Sequence, residues 1–168
     1  MVTNESNSEE TNLSFLGRSR KKIQDGDVFV FQILDGPYRF CRVIAAEIDE
    51  ELAPMPNSSL LYIYRTTSET MVPPVTALAP DQLLVPPVFT NRQGWLKGYF
   101  KTVKNLEPRE ADALADTCFW GFTRNRYVDE RGQPVAERTE PCGKWALVGY
   151  LGIDDLISKA LGMDRAGS

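Results

Sequence analysis

The sequence predicts a mainly β fold of the α+β kind: a small SH3-like or half-closed antiparallel β-barrel, extended by further strands and a C-terminal helix. Three observations carry this expectation. Five short strand-like segments lie between residues 28 and 103, separated by turns and loops. Pro73, Pro74, Pro80, Pro86 and Pro87 exclude a long helix or a central strand from residues 71–90. Near the end of the chain, Asp154 stands before an apolar-periodic stretch that Gly162 follows, the punctuation of a helix. Closing the sheet on itself would hide the unpaired edges that invite aggregation.

Residues 1–22 are rich in Asn, Ser, Thr and Glu and end in Arg18, Arg20, Lys21 and Lys22, so they read as a disordered, solvated tail. Order is expected from Asp25-Gly26-Asp27, a turn that launches Val28-Phe29-Val30-Phe31-Gln32-Ile33-Leu34. All but Gln32 are apolar and most are β-branched or aromatic, which suits a strand covered on both faces. Asp35-Gly36 can supply the positive φ of a tight hairpin, and Pro37 belongs at the entrance of the returning strand, Tyr38 to Ala45. There Tyr38 and Phe40 share one face, and Cys41, Val43 and Ala45 the other. A third strand is expected at residues 60–64, short edge pieces at 83–85 and 88–89, and a fifth strand at 95–103. Pro108 with its neighbouring acids suggests a helix over 107–116. Alternation predicts a strand at 118–123, Glu130-Arg131-Gly132-Gln133 reads as a hairpin tip, and 145–150 reads as a final strand before a helix at 155–161.

At 168 residues the chain has the size of one ordinary domain, here assigned to 23–168. Its charge is −4, and it holds no histidine. An acidic balance disfavours wrapping nucleic acid, whose affinity comes largely from neutralised phosphates. The missing histidine removes Ser-His-Asp and Cys-His catalysis and His-containing zinc sites. Cys41, Cys118 and Cys142 form no C-x-x-C pair, and so sparse a set suits reduced, buried thiols. The polar start lacks the features of a signal peptide, and no apolar run is long enough to span a bilayer. A cytoplasmic protein is expected.

No G-x-S-x-G, P-loop, G-x-G-x-x-G or H-E-x-x-H motif is present. Asp25 with Asp27, Glu110 with Asp116, and Asp154 with Asp155 sit where capping acids belong. No catalytic residue, cofactor or metal ligand is therefore assigned. The sharpest charge feature is Glu47, Asp49, Glu50 and Glu51. Segment 23–69 carries eight acids against Arg39, Arg42 and Arg65, a local charge of −5. These acids are the candidate partner-binding residues: an acidic surface speeds encounter with a basic protein and rejects wrong partners. An alternative is a small-barrel nucleic-acid-binding module, motivated by the basic cluster, by the local +3 of segment 70–104, and by Arg124 and Arg126 beside Trp120 and Phe122.

Gly26-Asp27-Val28-Phe29, followed by Leu34-Asp35-Gly36-Pro37-Tyr38-Arg39-Phe40-Cys41-Arg42-Val43, resembles the opening of the immunity protein 26 family. Leu83-Leu84-Val85-Pro86-Pro87-Val88 and Gly94-Trp95-Leu96-Lys97-Gly98-Tyr99-Phe100 are similar to that family's middle, so the likeness spans residues 23 to about 103. The resemblance implies a cytosolic protector in bacterial polymorphic-toxin or contact-dependent competition systems. Such a protein binds and neutralises a cognate toxin domain, often a nuclease, and supplies no catalytic residues.

Overall fold

The computed structural model describes residues 10–167. Among them, eight strands form two sheets. In chain order these are β1 (Asp27–Gln32), β2 (Tyr38–Ala45), β3 (Ser59–Ser68), β4 (Val88–Thr90), β5 (Lys101–Asn105), β6 (Cys118–Gly121), β7 (Arg126–Val128) and β8 (Cys142–Lys144). The helices are α1 (Gln93–Leu96) and α2 (Tyr150–Ala160). The fold is mainly β of the α+β kind, with a C-terminal helix. The first sheet runs β4-β3-β2-β1-β5 with every neighbour antiparallel. Its outer strands β4 and β5 lie at opposite edges, so the sheet stays open rather than closing into a barrel.

The β1–β2 hairpin forms where the residues predict it, but its turn is set one residue early. Leu34 and Asp35, not Asp35 and Gly36, take positive φ (49° and 57°), and the Gly36 N–H donates to the Ile33 carbonyl at 2.9 Å. Positive φ at both central residues matches the right-handed twist of the two strands. Both faces of this sheet are covered, as the unbroken apolar run of β1 requires. On one face, Phe29, Phe31, Cys41, Val43, Leu61 and Ile63 meet Trp95, Phe100 and the α2 residues Tyr150, Ile153 and Ile157. On the other, Val28, Val30, Phe40, Tyr62 and Tyr64 lie under Leu78 and Leu83, with Leu106 and Leu114 beside them.

Four local expectations are corrected. The alternation over 95–103 is not one strand: Gly98 (φ 89°) breaks it, α1 precedes the break, and β5 follows. The helical turn swings Trp95 back onto Phe29 (centroids 4.7 Å apart) and aims its indole N–H at the Thr102 hydroxyl, 3.1 Å away. A side chain at Gly94 would collide with the Phe100 ring, which is why that turn needs glycine. Over 107–116 only a 3-10 turn forms, Glu110–Asp112, because tertiary bonds claim the segment. Arg42 donates to the Leu106 carbonyl and pairs with Asp112 (3.3 Å), while the Leu114 N–H donates to the Tyr62 hydroxyl (3.0 Å). Residues 145–149 connect β8 to the helix rather than forming a strand, and α2 begins at Tyr150, not at 155. Its end at Gly162 (φ 69°) stands as predicted.

The last correction concerns the predicted tail. From Glu10 onward it lies along the domain. Leu13 bridges to Ile33 and is buried, and the N–H groups of Leu16 and Gly17 donate to the Gly98 carbonyl. Asp154 does not cap α2. It lies within that helix, and its carboxylate takes bonds from the Thr11 hydroxyl (2.8 Å), the Asn12 N–H (2.9 Å) and the Ser158 hydroxyl (3.0 Å). Residues 1–9 of the expected tail lie outside the described residues.

The second sheet runs β7-β6-β8, with β6 and β8 parallel. Phe119 and Val128 of this sheet share an apolar cluster with Leu60 of β3 and Phe89 of β4, and Ile44, Ala45, Ile48 and Trp145 pack against it. The two sheets thus meet at the root of the loop that carries the acidic residues.

Candidate partner-binding surface

The acidic loop, residues 46–58, joins β2 to β3. Its ends are stitched together: the Ile48 N–H donates to the Ser58 carbonyl (2.8 Å) and the Glu47 N–H to the Ser59 hydroxyl (3.2 Å). A 3-10 turn, Glu50–Leu52, follows Asp49, whose carbonyl accepts the Leu52 N–H at 2.8 Å. Buried Ala53 and half-buried Ile48 anchor this loop, so it presents its side chains from a fixed base. Glu47, Asp49, Glu50 and Glu51 are all exposed. Leu52 (37% exposed) and Met55 (52%) stand among them. Leu52 and Met55 thus add apolar surface to an otherwise acidic loop.

The four acids do not form one uniform patch. At one end, the Glu47 carboxylate lies 4.0 Å from the Lys22 ammonium, so part of the predicted basic cluster answers part of the predicted acidic one. At the other, Glu51 lines a pocket of about 370 Å³ with Pro54, Arg124, Arg126, Arg131 and Trp145. Asp49 and Glu50 occupy the stretch between. Arg18, Arg20, Lys21 and Lys22 are exposed.

This pocket is the feature that sequence reasoning missed. Arg124 and Arg126 drew notice only as neighbours of aromatic residues, and Arg131 only as part of a hairpin tip. The β6–β7 register pairs Gly121 with Arg126, which sets Arg124 and Asn125 (φ 52°) in the connecting turn. The next turn, closed by Asp129 Oδ1 accepting from the Arg131 and Gln133 N–H groups (2.9 and 3.0 Å), brings Arg131 to the same cavity. Two successive hairpin tips, each carrying arginine, were the available signal.

Several of the carboxylates near turns and strand ends are engaged in the fold. Asp27 accepts from the Gln24 N–H (2.9 Å) and the Asn105 amide (2.9 Å); Asp25 accepts from the Ala46 N–H (2.6 Å). Burial pushes the Asp112 carboxyl up, but bonds from the Arg109 N–H and guanidinium and the nearby Arg42 charge outweigh it and hold it below the usual carboxylate range. Cys118 and Cys142, far apart in sequence, are register partners across β6 and β8 with sulfurs 2.6 Å apart as free thiols. Burial, then the Cys118 contact, pushes the Cys142 thiol up to about 12. A thiol so suppressed is a poor nucleophile at neutral pH. Among the described residues no group of three or more acidic, cysteine or histidine side chains could hold a metal ion, and no helix is long and apolar enough to cross a membrane.

A family model described as Immunity protein 26 matches residues 24–127, more than half of the chain. The matched span holds the whole first sheet, the acidic loop and the β6 strand with the turn into β7. No curated protein and no solved structure matches the chain.

Proposed function

The chain belongs to the immunity protein 26 family, and from that premise we propose that it binds one cognate toxin domain and neutralises it by occlusion, without catalysis. The match over residues 24–127 carries this reading, because it covers the sheet and the loop offered here as the contact surface. The reading places the protein in the bacterial cytoplasm, guarding against a polymorphic toxin used in competition between cells. Glu47, Asp49, Glu50 and Glu51 are the proposed partner-binding residues, with Leu52 and Met55 as apolar anchors. A toxin that holds nucleic acid, a nuclease above all, needs a basic groove for phosphate, and an acidic loop on a braced base is a complementary plug for it. An interface of ordinary size would bury on the order of 1,600 Å².

The deciding experiment pairs the protein with a candidate toxin domain, sought first in any toxin-tailed gene adjoining its own. Co-expression should restore growth, and the purified proteins should elute as a one-to-one complex. Failure of both, with the toxin active and this protein folded, would remove the immunity reading. Changing Asp49, Glu50 and Glu51 together to Ala should slow association about tenfold at low salt, with the difference fading as salt rises. Equal association rates at every ionic strength would show that the loop acids do not steer the encounter.

A further inference from the structure

Arg124, Arg126 and Arg131 line one cavity with Glu51, and among the described residues none of their guanidiniums makes a hydrogen bond or an ion pair within 4.0 Å. Arg126 is the more telling of them: its Nε is sealed from solvent and has no partner. A buried N–H left unbonded is costly in a folded protein, so an acceptor that reached Arg126 Nε would be favoured. Guanidinium forks match carboxylate and phosphate oxygens, and several converging on one hollow attract an anion.

We propose that this pocket is the receptor for an acidic side chain of the toxin, a carboxylate that enters between Arg124, Arg126 and Arg131. The assignment rests on the immunity reading and deepens it. Charge arrangement selects a carboxylate delivered by a protein over a free phosphate or a nucleic acid strand. Glu51 also lines the pocket, and the exposed acids Asp49 and Glu50 immediately precede it in the loop. Together they repel a polyanion that approaches bare. A carboxylate set in a basic surround meets the reverse pattern: its acidic centre finds the arginines, and its basic rim finds Asp49 and Glu50. A groove that binds phosphate while doing acid or metal chemistry on it has that arrangement, carboxylate in the middle and cations around. One surface of this protein would thus read both signs of charge in the toxin at once.

The test uses the full chain and the toxin domain identified by that growth rescue. Arg124 and Arg131 are exposed, so the double variant Arg124→Gln/Arg131→Gln should keep the wild-type unfolding profile; Arg126→Gln probes the half-buried side chain whose Nε has no partner. Each should weaken toxin binding about a hundredfold, chiefly through faster dissociation, as expected when an enclosed charge loses its partner. Lys159→Gln, an exposed position on the C-terminal helix outside both charge features, should leave dissociation unchanged. In the nuclear magnetic resonance spectrum, the Arg126 Nε–H signal should move on adding the toxin and stay in place with inorganic phosphate or a single-stranded oligonucleotide. Folded arginine variants that bind toxin within twofold of wild type overturn the pocket and leave the immunity reading intact. Saturable binding of phosphate or oligonucleotide there, with no competition from toxin, also overturns it. A wild-type protein that binds no toxin overturns both.

Discussion

Arg42 shows how a single side chain organises the covered second face of the sheet. It stands in β2, almost wholly buried, and reaches both the Leu106 carbonyl and Asp112. The segment after β5 would otherwise have little reason to lie across the sheet, since its own helix is reduced to one 3-10 turn. Removing one partner from a buried pair leaves an uncompensated charge, so Arg42→Met should lower unfolding free energy by about 3 kcal/mol in urea denaturation. A loss of less than about 0.5 kcal/mol would mean that the segment is held by its apolar contacts alone. Acid titration gives an independent check. The folded chain holds the Asp112 proton less tightly than an ordinary carboxylate does, so this group stabilises the fold above the ordinary carboxylate range. That contribution fades as pH falls through the depressed folded-state value. Asp112→Asn should therefore flatten the decline of stability as pH falls through and below the ordinary carboxylate range, and an unchanged slope would assign acid unfolding to other carboxylates.

At the scale of elements, strands defined by their own apolar pattern were legible, and elements set by distant contacts were not. β1, β2 and the start of β3 are read correctly because each buries both faces, and their residues carry that demand locally. The failures at 95–103, 107–116 and 145–150 share a cause. In each, a bond to a distant part of the chain, at Leu16, Arg42 or Phe89, outweighs local propensity. The tail is the largest case. Polar composition predicts a solvated arm, yet Thr11 and Asn12 are the partners that buried Asp154 requires, and Leu13 fills a place beside Ile33. No local pattern could announce this, because the partners are more than 140 positions apart. A chain lacking residues 1–14 should lose at least about 3 kcal/mol of stability, from the lost burial of Leu13 and from the bonds stripped from a buried carboxylate. Unchanged urea unfolding would restore the reading of this stretch as a mere arm.

The molecule as a whole joins its core to its candidate contact surface through one apolar cluster. Phe89 of the first sheet lies 4.8 Å, ring to ring, from Phe119 of the second and 5.2 Å from Trp145. Ile44, Ala45 and Ile48, at the base of the acidic loop, pack on the same cluster, while Trp145 also lines the arginine pocket. The acidic loop and the arginine-bearing hairpins were visible in the sequence as separate charge features. Their juxtaposition was not, because it depends on how the second sheet docks against β3 and β4. The cluster therefore does two jobs: it holds the sheets together and fixes the distance between acids and arginines. Phe119→Ala, which empties a fully buried ring site, should cost about 3–5 kcal/mol. If the sheets form one cooperative unit, tryptophan fluorescence, which reports Trp120 and Trp145 in and beside the second sheet and Trp95 in the first core, should still change together with far-ultraviolet circular dichroism. Toxin binding should also weaken although no surface atom has changed, since the loop and the pocket lose their common base. Fluorescence that melts ahead of the dichroism in the wild type would instead make the second sheet a separately unfolding unit, and the docked geometry of the two charge features would then be only a fraction of the folded population.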